Sequence, residues 1–124
     1  MDIEMVADSL EFFAGGSDKI TGKTYMTGDK DVLTSYRREP FGVVGLISPW
    51  NYPLLMSDWK FAPAMAAGCC IIMKCSEETP LANLKFAELV KEAGFPKGVF
   101  NVVPGYGQVA GEYLCRHPLV KKVI

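Results

Sequence analysis

The residue best placed for chemistry is Asn51, in a P-W-N-Y-P turn at residues 49–53. The apolar run at residues 41–48 is typical of a buried strand, and residues 54–67 have the pattern of a helix. Ligands of open α/β sheets bind at the carboxyl ends of strands, where this turn is predicted to lie. An amide held there between two prolines could stabilise an oxyanion. The alternative is an ordinary strand-to-helix loop in which the prolines only end the two elements.

A lysine and a glutamate follow the next apolar run, at residues 69–74. Lys74 and Glu77 are three residues apart at the carboxyl end of this predicted strand. A lysine ammonium can donate to ribose hydroxyls or a phosphate, and a carboxylate can accept both hydroxyls of an adenosine ribose. The alternative is a solvated ion pair, since an acidic residue at the start of a helix also suits the helix dipole.

A glycine-rich turn follows the third predicted strand, at residues 99–103. Gly105, Gly107 and Gly111 have the spacing G-x-G-x-x-x-G, one residue longer than the common dinucleotide-binding fingerprint. Glycines at such a position are equally typical of a tight turn alone. Because all three turns end strands of one predicted parallel sheet, we expect them to meet at one edge of that sheet.

The elements that must position these residues form a strand–helix alternation over residues 41–124. This order predicts right-handed βαβ units and a parallel sheet, which is an α/β fold. In the second helix, Thr79 is the expected N-cap. Its expected inward face consists of residues at three-residue intervals: Leu81, Leu84, Ala87 and Val90.

The segment before the sheet has a different pattern. Residues 1–16 contain an amphipathic helix, expected at residues 2–13 and ended by Gly15 and Gly16. Residues 17–40 are polar and predict a two-stranded ribbon, which is marginally stable alone and is expected to lean on another domain or subunit.

An aromatic and thioether stripe follows Asn51. Tyr52, Met56 and Trp59 share one face of the predicted helix. Such a stripe is either part of the core or the wall of a substrate channel, and the sequence leaves both possibilities open.

Composition narrows the function classes. The chain has 124 residues and a formal net charge of −1, so charge gives no reason to expect a nucleic acid or an anionic membrane as partner. Its longest nearly apolar run, residues 61–73, is too short to span a bilayer. The acidic amino terminus lacks signal-peptide features, and we expect a cytoplasmic protein with four buried, reduced cysteines. No CxxC pair exists and His117 is the only histidine, so no metal site is predicted.

Three stretches closely resemble the NAD(P)-dependent aldehyde dehydrogenases: EPFGVVGLISPWNYPL at residues 39–54, KCSEETPL at 74–81 and EAGFPKGVFNVVPG at 92–105. Residues 10–40 are also similar to the helix and oligomerisation ribbon of that family. The resemblance implies a leading helix (residues 1–16), a bridging ribbon (17–40) and a partial Rossmann-like NAD(P)-binding domain (41–124). It also implies oxidation of an aldehyde to a carboxylic acid through a covalent thiohemiacetal, in a homo-oligomeric enzyme.

The resemblance also implies residue roles. Asn51 is the side-chain half of the oxyanion hole, and Tyr52, Met56 and Trp59 line the aldehyde tunnel. The implied cofactor-binding residues are Ser48, Pro49, Trp50, Lys74, Ser76, Glu77, Gly107 and Gly111. Glu77 favours the free ribose hydroxyls of NAD, whereas Lys74 with Ser76 could accommodate the phosphate of NADP. Cys75 stands where proline is common in the family.

The family's nucleophilic cysteine and general-base glutamate occur in sequence contexts that this chain does not contain. None of its four cysteines matches the nucleophile. The sequence therefore predicts an internal fragment of such an enzyme, inactive alone, which supplies only oxyanion-hole and cofactor-ribose residues. The alternative is a non-catalytic remnant that packs against intact subunits.

Overall fold

The computed structural model describes residues 2–124, which form four α-helices and six strands. The helices are α1 (Asp2–Gly16), α2 (Pro53–Ala66), α3 (Pro80–Glu92) and α4 (Glu112–Arg116). The strands are β1 (Lys23–Met26), β2 (Leu33–Tyr36), β3 (Val43–Ile47), β4 (Cys70–Lys74), β5 (Phe100–Val102) and β6 (Lys122–Val123). A 3₁₀ turn, Ser17–Lys19, follows α1, and a π-type turn, Gly107–Gly111, precedes α4.

Four strands form a parallel sheet in the order β5-β4-β3-β6. The chain builds this sheet outward from β3 to β5 and then crosses back, so that β6 pairs with the other side of β3. The strand order therefore reverses at β3, and the turn after β3 lies at the switch point where open α/β sheets bind ligands. The predicted α/β fold, a Rossmann-like parallel sheet with flanking helices, is confirmed.

The core lies between this sheet and the helices α2 and α3. Val44, Leu46, Ile71 and Met73 point from β3 and β4 into it and are almost fully buried. Three phenylalanine rings, from α2, α3 and β5, meet edge to face with centroids 4.7 to 5.8 Å apart: Phe61, Phe86 and Phe100. Helix α1 packs on α2.

Helix α4 covers the opposite face of the sheet. Successive side chains of a strand alternate between faces, so Gly45 points away from the core that holds Val44 and Leu46. A Cβ at Gly45 would lie 2.9 Å from the Leu114 side chain of α4. The missing side chain at Gly45 is what lets this short helix approach the sheet.

The ribbon has the predicted strands and little support. β1 and β2 pair antiparallel, with Lys23 opposite Tyr36, and all eight strand residues are exposed. Met26 is 88% exposed and Leu33 is 71% exposed. The ribbon is thus paired with itself but not buried by the rest of the described chain.

Glycines mark the ends of α2 and α3, and the predicted end of α1 at residue 13 is wrong. Gly68 and Gly94, with φ of 80° and 89°, follow the C-caps of α2 and α3 in the left-handed conformation that ends helices. Helix α1 ends at Gly16 and not at residue 13, so Gly15 and Gly16 belong to its last turn. No helix among residues 2–124 has the length and apolar character needed to cross a membrane.

The predicted inward face of α3 is right at Val90, partly buried at Ala87 and wrong at Leu81 and Leu84. Leu81 is 77% exposed and Leu84 is also exposed, whereas Asn83, Phe86 and Val90 are buried. A helix has 3.6 residues per turn, so residues at strict three-residue intervals drift around its surface. The buried residues follow the alternating spacing of three and four that keeps a stripe on one face.

Candidate active site

The turn that carries Asn51 leaves the end of β3 in a constrained conformation. The Ser48 N–H donates to the Lys74 carbonyl at 3.0 Å, which continues the pairing of β3 with β4 past the strand ends. Tyr52 has φ of 48°, in the left-handed region that side chains rarely adopt. Asn51 is exposed, and no described residue hydrogen-bonds to its amide. The turn, residues 48–53, thus presents a free amide on a strained backbone.

Side chains from two helices bind the carbonyls of this turn. On α2, Ser57 donates its hydroxyl to the Pro53 carbonyl at 2.7 Å. On α3, Asn83 Nδ2 donates to the same carbonyl at 3.3 Å, and the hydroxyl of Thr79 at the N-cap donates to the Trp50 carbonyl at 3.3 Å. Hydrogen bonds from α3 thus hold the turn both before and after Asn51, and α2 adds one more after it.

A cation also lies beneath the turn. The Lys60 ammonium donates to the Ile47 carbonyl at the end of β3, and burial lowers the pKa of Lys60. No local sequence pattern indicates this contact, because Lys60 and Ile47 are thirteen residues apart in the chain.

The predicted lysine–glutamate pair forms at the end of β4. Lys74 Nζ lies 3.1 Å from Glu77 Oε2, with the Lys74 side chain buried and that of Glu77 partly exposed. A hydrogen bond from its own backbone N–H, and then the Lys74 ammonium, lower the pKa of the Glu77 carboxyl. Glu77 is therefore an ionised acceptor at neutral pH, and two N–H groups of Lys74 are free to donate. This donor and acceptor set fits the hydroxyls of a ribose.

The loop after the pair is closely held. Ser76 is buried, and its hydroxyl accepts a hydrogen bond from the Glu78 N–H at 3.2 Å. The Thr79 N–H donates to the Ser76 carbonyl at 3.3 Å. Ser76 therefore already serves the local turn through both its hydroxyl and its carbonyl.

The glycine turn is compact but does not need left-handed glycines. Gly105, Gly107 and Gly111 all have negative φ, and the Tyr106 carbonyl accepts from three successive N–H groups of the π-type turn. Close packing demands glycine at residue 105, where a Cβ would lie 2.9 Å from that of Ala110. Gly107 has open space around it and Gly111 is buried.

The structure brings the three predicted turns to one edge of the sheet. They follow the parallel strands β3, β4 and β5 in turn, and we call this side the carboxyl edge. Ile47 and Lys74 are paired in register at this edge. Lys74 also lines a cavity of about 240 Å³ together with Ala110 of the glycine turn. Lys74 therefore lies beside both the strand that leads into the Asn51 turn and the cavity next to the glycine turn.

The aromatic stripe is not part of the core of the described chain. Tyr52 and Trp59 are each more than half exposed and Met56 is intermediate. Trp50 and Pro49, on the preceding segment, are exposed and intermediate. The stripe thus offers an apolar surface beside the Asn51 turn.

Two residues that organise the turn were missed or misread in the sequence. Thr79 occupies the N-cap of α3, but its hydroxyl bonds Trp50 and makes no capping bond. Asn83 is not among the residues of the predicted inward face of α3, although it is fully buried. The signal that identifies it is the three-and-four spacing with Phe86 and Val90, which places an amide on the inward face.

The cysteines are free among the described residues, and only two of the four are buried. Cys69 and Cys75 lie inside, whereas Cys70 and Cys115 are exposed, which corrects the expectation of four buried thiols. Burial raises the pKa of the Cys75 thiol, so it is a poor nucleophile despite the adjacent Lys74.

One carboxylate, that of Asp58, is buried on α2 near α1. Asp58 on α2 is fully buried, and neither oxygen completes a hydrogen bond with a described residue. Burial raises the pKa of Asp58, and the nearby Ser9 hydroxyl of α1 lowers that pKa by a smaller amount. It has no part in the arrangement around Asn51.

The chain is similar to known proteins over its full length. The model of the aldehyde dehydrogenase family matches residues 1–124. The mitochondrial aldehyde dehydrogenase of Sus scrofa is 51% identical over 123 residues, which are 99% of this chain and 23% of that protein. The chain thus spans about a quarter of that protein's length.

Solved structures give the same result. PnpE from Pseudomonas sp. WBC-3 has a TM-score of 0.96 at 47% identity, covering 99% of this chain and 25% of that one. The NAD⁺ complex of an aldehyde dehydrogenase from Bacillus cereus has a TM-score of 0.95 at 48% identity, covering 98% of this chain and 25% of that one.

Proposed function

This chain belongs to the aldehyde dehydrogenase family, and we propose that it provides part of the active site of an enzyme that oxidises an aldehyde to a carboxylic acid. In this proposal Asn51 stabilises the oxyanion, and Lys74 with Glu77 binds the adenosine ribose of NAD. The protein needs further residues for the reaction, a nucleophilic thiolate and a general base, which this chain does not supply.

The observation that supports the proposal best is the meeting of two built features at the carboxyl edge. One is an exposed amide on a turn whose carbonyls are bound from both sides of Asn51. The other is an ionised pair with spare donors and acceptors, Lys74 and Glu77. Ile47 and Lys74 are paired across adjacent strands, so the two features follow neighbouring strand ends at the carboxyl edge.

The cofactor assignment rests on the donor and acceptor chemistry of the pair. NAD, when bound, supplies the acceptor for the hydride that leaves the aldehyde carbon. The Glu77 carboxylate would accept the two ribose hydroxyls, and the Lys74 ammonium would donate to the same ribose. Ser48, Pro49 and Trp50 would contribute backbone contacts, and Gly107 and Gly111 would flank the adenine. The Ser76 hydroxyl accepts from the Glu78 N–H and keeps its own O–H to donate to a phosphate, so NADP stays the alternative cofactor.

A substitution at Glu77 tests this assignment. We expect Glu77→Gln to weaken NAD binding more than NADP binding, because the lost carboxylate accepts a hydroxyl that NADP replaces with phosphate. Both cofactors can be titrated against a chimera in which residues 1–124 replace the matching segment of the Bacillus cereus enzyme. Glu88→Gln, on the exposed side of α3, is the matched control. Equal losses of affinity for the two cofactors would contradict the ribose assignment.

Asn51 is expected to act in the transition state. The negative charge on the aldehyde oxygen develops only as the nucleophile attacks, so a preplaced amide N–H acts chiefly then. Removal of one such donor typically lowers turnover about 10²–10³-fold. We expect Asn51→Ala to lower the kcat of the chimera by roughly this factor, with NAD affinity little changed.

Asn51→Asp is expected to be at least as harmful, because a carboxylate would repel the developing charge. Steady-state kinetics with a parallel NAD titration separates the two effects. A near-normal kcat for Asn51→Ala would show that the amide has no role in the chemistry. The 124-residue chain alone is expected to give no turnover.

The proposal also assigns roles to two further surfaces, the aromatic stripe after Asn51 and the ribbon. Tyr52, Met56 and Trp59 would form a wall of the aldehyde tunnel, since Tyr52 and Trp59 are exposed and Met56 is partly exposed on the segment that follows Asn51. The ribbon of residues 17–40 would bridge to another subunit of a homo-oligomer, because its apolar side chains are uncovered. We propose a cytoplasmic location, supported by the free cysteines of the described chain; cell fractionation tests it.

A further inference from the structure

We infer that Asn83 and Thr79 are positioning residues that hold the Asn51 turn in its working geometry by binding the carbonyls on either side of Asn51. This inference rests on the proposed function. It assigns a role to two side chains of α3 that lie outside the oxyanion and ribose contacts.

The two hydrogen bonds bracket the amide. Thr79 Oγ1 binds the carbonyl of Trp50, the residue before Asn51, and Asn83 Nδ2 binds the carbonyl of Pro53, two residues after it. Thr79 and Asn83 are four residues apart, so they face the turn from the same side of α3. A single rigid element therefore fixes both ends of the four-residue stretch, residues 50–53, that contains Asn51.

The backbone between these two points requires such support. Tyr52 is the only described residue other than glycine with a positive φ. A tyrosine in the left-handed region is strained, and such residues persist when their surroundings hold them there. A turn released from α3 would relax Tyr52 towards an ordinary conformation and carry the neighbouring Asn51 amide away from its position.

The burial of Asn83 points to the same role. Its side chain is fully buried on the inward face of α3, next to Phe86 and Val90, which belong to the hydrophobic core. Its Oδ1 has no partner among the described residues, so Nδ2 to the Pro53 carbonyl is its one hydrogen bond there. An apolar residue would suit the core better. The hydrogen bond to the Pro53 carbonyl accounts for an amide side chain at this core position.

Because of this arrangement, replacement of Asn83 should affect activity and thermal stability differently. If Asn83 is replaced by the similarly shaped leucine, the Pro53 carbonyl keeps its 2.7 Å bond from Ser57, so no acceptor becomes unsatisfied. We therefore expect Asn83→Leu to preserve or raise the melting temperature while it lowers kcat. A merely structural role for Asn83 predicts the opposite change in melting temperature.

The test uses the chimera and compares five single variants, Asn51→Ala among them, and one double variant. We expect Asn83→Leu to reduce kcat roughly 10- to 100-fold, because small displacements of a catalytic group cost about this much, with NAD affinity unchanged. Thr79→Val should behave similarly, and Thr79→Ser should retain activity because it keeps the hydroxyl. Val90→Ala, in the core but without contact to the turn, should lower the melting temperature and leave kcat intact.

The double variant Asn51→Ala/Asn83→Leu shows whether Asn83 acts through Asn51. We expect its kcat to equal that of Asn51→Ala alone, since a missing amide cannot be mispositioned. If Asn51→Ala has no effect on kcat, the oxyanion role in the proposed function is wrong. If Asn51→Ala lowers kcat but Asn83→Leu and Thr79→Val do not, or if their effects multiply with it in full, the positioning inference is overturned while the proposed function stands.

Discussion

The ribbon and the parallel sheet are both built from short strands, but the burial of their side chains is opposite. In β3 and β4 nearly every side chain is buried or partly buried, whereas all eight residues of β1 and β2 are exposed. The sheet is stabilised by the removal of apolar surface from water on both faces. The ribbon has its own backbone pairing, the stacked rings of Tyr25 and Tyr36, and exposed local bonds such as that from the Thr27 hydroxyl to the Val32 carbonyl. Strand pairing alone therefore does not identify where the stability of this chain resides.

The largest expected contrast comes from removing a leucine from each region. Leu46→Ala in β3 should reduce the free energy of unfolding by about 2–5 kcal/mol, because it empties a fully buried position. Leu33→Ala in β2 should change it by no more than about 0.5 kcal/mol, the range typical of surface substitutions. Urea denaturation of the two variants measures both. A large loss for Leu33→Ala would show that the ribbon is packed more tightly than its exposure indicates.

A smaller contrast comes from a carboxylate in each region. Asp58→Asn should raise the free energy of unfolding at pH 7 by about 1–3 kcal/mol, because the neutral amide avoids the cost of burying a carboxylate charge without a full partner. Asp31→Asn, in the exposed ribbon turn, should leave it unchanged.

The pH dependence of this difference has a definite sign. Burial raises the pKa of Asp58 in the folded state above its ordinary value of 3.8. The folded chain therefore binds the proton more tightly, and its stability falls as pH rises from 3.8 through the folded-state pKa. The gain from Asp58→Asn should accordingly be complete above that folded-state pKa and disappear below pH 3.8. A gain that does not vary with pH would indicate that Asp58 does not titrate with folding.

The smallest expected effect on global stability comes from a strong local disturbance of the ribbon. A Cβ at Gly22 would lie 2.0 Å from the Tyr36 carbonyl oxygen, so Gly22→Ala must displace the start of β1. Amide hydrogen exchange of residues 23–36 should accelerate, while the free energy of unfolding changes by less than about 1 kcal/mol, as for other poorly buried segments. Gly28→Ala, with no atom within 4 Å, is the control and should change neither. A cooperative loss of the whole fold would show that the ribbon supports the sheet.

The sequence predicted the elements well because each carries a local signal. The apolar runs of β3 and β4, and Gly68 and Gly94 after the helices, define boundaries without knowledge of the partners. The Lys74–Glu77 pair was predicted because its three-residue spacing makes the contact local.

The bonds that hold the Asn51 turn could not be predicted in the same way. Thr79 and Asn83 reach carbonyls about thirty positions earlier in the chain, at Trp50 and Pro53. Such pairings depend on how α3 docks beside α2, which no local pattern encodes. The αL conformation of Tyr52 is likewise hidden, because the sequence between the two prolines contains no glycine to indicate it.

The return of β6 to the far side of β3 has a consequence for the order of folding. Lys122 pairs with Val44, so the middle of the sheet acquires its second neighbour only when the last residues of this segment are present. The ribbon pairs residues that are close in the chain and can form within microseconds, whereas loop closure over such a distance is slow. During synthesis on the ribosome, one edge of β3 is expected to stay unpaired until residues 121–124 have emerged. That interval is when this chain is most exposed to wrong pairing with another copy.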